Sequence, residues 1–154
     1  MQTNVLSEEA LQKILSSGSL DEIEKLTINP KCFKFPYGRN ALYYAARNPH
    51  AEIIEYLIFR LGIDPDSETI NGITPLMRAA FYGNLPVIKC LIEIGADPYK
   101  KDVLGQNIIG ILMRRNYYNL VDIVKKWIER YYNFDKQLKV NNNGPVLRKS
   151  QIKI

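Results

Sequence analysis

Apolar residues in this chain come in short blocks at helical spacing, and each block is closed by a helix-breaking residue. The clearest block is Val87, Ile88, Leu91 and Ile92. These four share one face of a helix and are expected to point into a core. Gly95 follows and can end that helix in a left-handed conformation. One block earlier, Thr74 and Pro75 read as a helix start. A threonine hydroxyl caps an orphan amide, and proline at the first helical position loses nothing by lacking an N–H. Gly83 stops this helix in its turn. Near the N-terminus, Leu11, Ile14 and Leu15 form a block, Gly18 a turn, and Leu20, Ile23 and Leu26 a further block. The pattern predicts pairs of short helices joined by tight turns.

The pairs repeat. Residues 72–80 read Gly-Ile-Thr-Pro-Leu-Met-Arg-Ala-Ala, and Gly95-Ala96-Asp97-Pro98 follows one helix later. Gly38-Arg39-Asn40-Ala41-Leu42-Tyr43-Tyr44-Ala45-Ala46 lies 34 residues before, and Gly62-Ile63-Asp64-Pro65 answers the later Gly-Ala-Asp-Pro. Gly105-Gln106-Asn107-Ile108-Ile109 starts another copy 33 residues after Gly72. The motif and its period resemble the ankyrin repeat, with its G-x-T-P-L-H-x-A-A stretch, second helix and G-A-D turn. The resemblance implies an all-α ankyrin-repeat solenoid of about four helix-turn-helix units, at about 7–36, 37–70, 71–104 and 105–134. The first and last units are degenerate caps, and a basic tail fills 135–154. A repeat of this kind cannot bury its apolar face alone, so the units must stack. The stack then offers an extended binding surface.

Departures from the pattern carry their own expectations. The outer helix of the second unit holds one extra residue. The usual histidine is Met77, Tyr43 or Gly110, so its polar link to the threonine is missing. Pro49 stands where a turn glycine is usual, so Asn48 is expected to take the left-handed conformation there. Asn116 replaces the glycine in the last unit and tolerates that conformation. Leu112-Met113 replace the paired alanines, and the last outer helix is expected to run through Trp127 to about Tyr132.

At 154 residues and 46% hydrophobic content the chain is expected to fold as one domain, 1–134. It has no apolar run near the ~20 residues of a membrane helix. No secretory or transit segment is recognisable at the N-terminus. Cys32 and Cys90 have neither metal-ligand nor redox spacing, and are expected to be reduced thiols. The protein is expected to be intracellular, in the cytoplasm first and with an organelle or the nucleus as the alternatives, and to need no metal or cofactor. The single histidine, His50, falls at a turn, where a structural role is expected. No phosphate loop, dinucleotide motif or Ser/His/Asp arrangement is present, and the chain is not expected to be an enzyme.

Charge is uneven. Residues 1–70 hold seven Lys/Arg against ten Asp/Glu, a net of −3, and residues 71–154 hold fourteen against six, a net of +8. A basic half can steer an acidic partner, or can simply keep the surface solvated.

The expected function is a non-enzymatic protein–protein interaction module, an adaptor or a small structural subunit of a larger assembly. The resemblance implies a concave face made by finger tips and inner helices. Carried over by position, that face includes Tyr37, Arg39, Arg47, Ile73, Phe81, Tyr82, Arg114 and Arg115. Aromatic residues and arginine dominate interface hot spots. The alternative for Phe81 and Tyr82 is that they only cover a neighbouring helix. In the tail, Arg148, Lys149, Ile152 and Lys153 form a second candidate contact, on a segment expected to order only on a partner. The second functional reading is an RNA-contacting component of a ribonucleoprotein. Aromatic and basic residues alternate in the last unit, and bases stack on rings.

Overall fold

A computed structural model describes residues 7–26, 30, 33, 35–134 and 137. The tail residues Arg148, Lys149, Ile152 and Lys153, and Cys32, lie outside the described residues. Among the described residues there are eight α-helices and no strand. They are α1 (Glu8–Ser17), α2 (Leu20–Glu24), α3 (Ala41–Ala45), α4 (Ala51–Glu55), α5 (Pro75–Phe81), α6 (Leu85–Ile94), α7 (Ile108–Arg114) and α8 (Tyr118–Trp127). The helices pair in chain order. Within the stack, α1, α3, α5 and α7 pack one on the next as an inner layer, and α4, α6 and α8 form an outer layer. The solenoid implied by the repeat is present.

Local chemistry sets each inner helix. Thr74 accepts a hydrogen bond from the Met77 amide at 3.2 Å. Asn40 and Asn107 do the same for Tyr43 and Gly110, at 3.0 and 3.1 Å. An asparagine side chain caps as well as a threonine hydroxyl, so the motif survives that exchange. Ala79 and Ala80 are fully buried, as is Ala46, which lets neighbouring inner helices approach. Val87, Ile88, Leu91 and Ile92 are also fully buried. In the last unit Leu112 is buried but Met113 is 48% exposed. Among the described residues no inner helix follows α7 to cover it.

The extra residue of the second unit is absorbed by a change of helix type. Tyr56–Arg60 forms a π-helical turn continuing α4. The Leu61 amide reaches back to the Tyr56 carbonyl, five residues away. A π turn takes in one inserted residue without breaking the helix. After α8, Ile128–Asn133 adopts the same form, so the last outer helix continues to the expected region.

Asn116 takes the left-handed conformation, with φ +62°, as expected. Asn48 does not; among the described residues the non-glycine residues with positive φ are Tyr37 and Asn116. The reason is Pro49, whose ring disfavours helical conformations at the preceding residue and favours extended backbone.

Three contacts join the turn of one unit to the start of the next outer helix. A Cβ added to Gly18 would lie 1.9 Å from His50 Cδ2, so the imidazole occupies the space a side chain would need. This gives His50 the structural role expected of it. Gly83 faces the Tyr117 ring in the same way, at 3.0 Å. Between them, the Asn84 Nδ2 donates to the Ala46 and Asn48 carbonyls at 3.0 and 2.7 Å. Finger tips are linked too. The Ile70 amide donates to the Tyr37 carbonyl, and the Val103 amide to the Asn71 carbonyl, each at 3.0 Å.

Candidate partner-binding face

The inner helices are short and their next-turn residues lie on one side, so side chains three or four apart share a face. Arg78, Phe81 and Tyr82 meet that spacing on α5 and its end. The Arg78 guanidinium lies 4.4 Å from the Tyr43 ring centroid, 4.7 Å from Tyr82 and 5.9 Å from Phe81. It therefore connects α3 to α5. Arg39 adds contacts to Tyr37 at 5.1 Å and to Tyr43 at 5.2 Å. Arg47 lies 5.5 Å from Tyr82. Arg115, from the next unit, sits 4.3 Å from Phe81 and donates its Nε–H to the Phe81 carbonyl at 3.2 Å. Phe81 and Tyr82 pack edge to face at 5.2 Å. The result is one ladder of alternating rings and guanidinium groups across three units. Contacts of this type are worth about 0.5–1 kcal/mol each at exposed sites. They fix side chains that would otherwise be mobile.

All eight residues selected on the repeat part of the sequence lie on this face. Seven are rungs or neighbours of the ladder. Ile73 lies beside it, shared by two depressions. The larger is a groove of about 480 Å³ between α5, α7 and the finger at 102–106. Its floor is the buried pair Met77 and Ile111, and Phe81 and Leu104 are half- and largely exposed at its sides. Arg78, Arg114 and Arg115 line it, and Arg114 donates to the Gln106 side chain at 3.2 Å. The smaller depression, about 190 Å³, lies at Tyr37, Arg39 and Asn71.

Sequence reasoning missed Arg78, the centre of the ladder. Its spacing to Phe81 and Tyr82 was the available signal. It also missed the strain at Tyr37, which holds φ +61°. A bulky residue is uncommon in that region. The Tyr37 carbonyl, held by the Ile70 amide, keeps this finger tip in register with the next.

Nothing on the described surface suggests acid–base or metal chemistry. Among the described residues no group of three or more His, Cys, Asp or Glu could hold a metal ion. Cys90 is a buried free thiol, and burial first, then Glu55 and Glu93, pushes its pKa up to about 12. No helix among the described residues is long and apolar enough to cross a membrane.

A family model described as ankyrin repeats in three copies matches residues 9–102. The chain belongs to the ankyrin repeat family. It shares 38% identity over 93 residues with the sex-determining protein fem-1 of Caenorhabditis elegans, which is 49% of this chain and 14% of that protein. It shares 32% over 103 residues with the probable E3 ubiquitin-protein ligase XBOS32 of Oryza sativa subsp. japonica, 64% of this chain and 21% of that protein. An IkB-like protein of African swine fever virus, strain Badajoz 1971 Vero-adapted, is 35% identical over 68 residues, 42% of this chain and 29% of the viral protein. The chain thus spans less than a third of each of these relatives. The α7–α8 pair lies beyond the segment the family model matches, yet continues the ankyrin stack in both layers. Ankyrin repeats are protein-interaction modules, and the ladder lies on the inner-helix side of this one.

Proposed function

We propose that this ankyrin chain is a non-enzymatic adaptor or small subunit that binds a partner protein through its inner-helix face. The observation that carries the reading is the ladder of Arg39, Arg47, Arg78 and Arg115 with Tyr37, Tyr43, Phe81 and Tyr82. Apart from Tyr43, which is itself buried, packing of the solenoid does not need these residues, because the core beneath is already closed by buried alanine and aliphatic side chains. Pre-ordered aromatic and arginine side chains are what interface hot spots are made of. Ordering them before binding reduces the entropy lost on association. The partner-facing residues are Tyr37, Arg39, Arg47, Arg78, Phe81, Tyr82 and Arg115, together with Ile73 and Arg114, while Tyr43 is buried beneath them.

The test is affinity purification of the full chain with nuclease, comparing the native sequence with Phe81→Ala and Arg115→Ala. A defined set of proteins that survives nuclease and is lost with both substitutions supports the reading. Partners that vanish with nuclease would instead favour an RNA-contacting role for the basic half. Partners retained by both variants would place the contact elsewhere.

A further inference from the structure

The groove between α5 and α7 has a chemistry that specifies its ligand more narrowly. Three guanidinium groups, of Arg78, Arg114 and Arg115, surround an apolar floor of Met77 and Ile111. Among the described residues none of the three forms an ion pair with a carboxylate. Asp102 also lines the groove, so three guanidinium groups against one carboxylate leave a net charge of +2 there. One of the Asp102 carboxylate oxygens already accepts the amides of Leu104 and Gln106, both at 2.9 Å. Arg78 is the sharpest case. Its Nε is buried and has no hydrogen-bond partner, while its guanidinium is fixed against the rings of Tyr43 and Tyr82. The Nε is closed off from solvent, so a ligand carboxylate would meet the terminal Nη groups of Arg78, whose N–H donors match carboxylate acceptors.

The shape adds a second constraint. The groove and the smaller depression at Arg39 share Ile73 as a common wall. A ligand filling both must be elongated along the stack. Packed helices lie about 8–10 Å apart, and an extended chain in the polyproline II form advances about 3.1 Å per residue with three residues per turn, so every third side chain returns to the same face. Arginines on successive units are therefore met by acidic side chains about three residues apart.

We infer that the ligand of this face is an extended acidic peptide segment. Its carboxylates, about three residues apart, pair with the arginines of successive units, and one apolar side chain between them enters the groove over Met77 and Ile111. This rests on the reading of the inner-helix face as the binding surface and adds the identity of what it binds. The +8 charge of residues 71–154 would speed capture of such a segment.

The experiment is selection of a randomised 16-residue peptide display library against the full chain, followed by affinity measurement on the enriched peptides by fluorescence polarisation. The expected outcome is enrichment of Asp or Glu at three-residue spacing around one Leu, Ile, Met or Phe. Binding should then weaken at least about tenfold in Arg78→Met, and also in Arg114→Gln, whose exposed position leaves folding untouched. Circular dichroism of each variant verifies the fold. Enriched peptides without acids that still lose binding in Phe81→Ala overturn the inference and leave the binding face standing. Enriched peptides indifferent to Arg78, Phe81 and Arg114 overturn both. Failure to enrich any peptide over the Arg78→Met protein also overturns the inference.

Discussion

Replacing Asn84 with alanine tests how the units are held to each other. Asn84 is 7% exposed, and its Nδ2 bonds two carbonyls, those of Ala46 and Asn48, which lie 38 and 36 residues earlier. It makes no side-chain capping bond to its own helix, so the substitution leaves α6 capping unchanged. The loss is therefore confined to the inter-unit contact. Two hydrogen bonds at about 1–1.5 kcal/mol each give about 2–3 kcal/mol, partly offset because the buried, unpartnered Oδ1 of Asn84 is removed with them. In a domain of this size that lowers the melting temperature by roughly 5–10 °C. Repeat stacks are held by nearest-neighbour interfaces, so the unfolding transition should also broaden as the N-terminal units uncouple. Urea denaturation followed by circular dichroism reads both effects. The companion Asn84→Asp should be worse than alanine, because a carboxylate would face two carbonyl oxygens while buried. A loss below about 0.5 kcal/mol in Asn84→Ala, or an aspartate variant as stable as the alanine one, would refute the account.

Two other substitutions report on neighbouring features. Gly18→Ala should destabilise the first unit, since φ is +80° and the new Cβ would meet the His50 ring. Most of the steric part should return in Gly18→Ala/His50→Ala, leaving the roughly 1–2 kcal/mol backbone term, so a double-mutant cycle with no coupling would contradict the contact. For Cys90, the folded thiol stays neutral to about 12 while the unfolded one ionises from its ordinary value near 9. The folded state thus holds the proton more tightly, and stability falls as pH rises through that interval. The urea midpoint of the native chain should drop more between pH 8 and pH 10.5 than that of Cys90→Ala, and parallel declines would show that the thiol is not the cause.

Much of this protein is written locally. Thr74-Pro75, Gly83 and Gly95 set helix ends because capping and left-handed turns depend on a few adjacent residues. The apolar spacing of Val87 to Ile92 sets which side is buried. The period of 33–34 residues then forces stacking, because a single helix pair leaves its apolar face open. Even the mistaken expectation at Asn48 was local: the proline that follows it decides the backbone. Choosing Phe81, Tyr82, Arg114 and Arg115 as face residues needed only their position in the repeat. What the sequence did not reveal are contacts between residues about one repeat apart. Arg78 becomes the centre of the ladder only when α3 brings Tyr43 against it. Asn84 looks like an ordinary turn residue until two carbonyls of the previous unit meet its amide. The extra residue after His50 was countable, but only the packing of the outer layer decided that a π turn would absorb it. Local propensity fixes the shape of one unit. Which side chains touch across units depends on the rotation and spacing of the stack, and those are properties of the assembled tertiary structure.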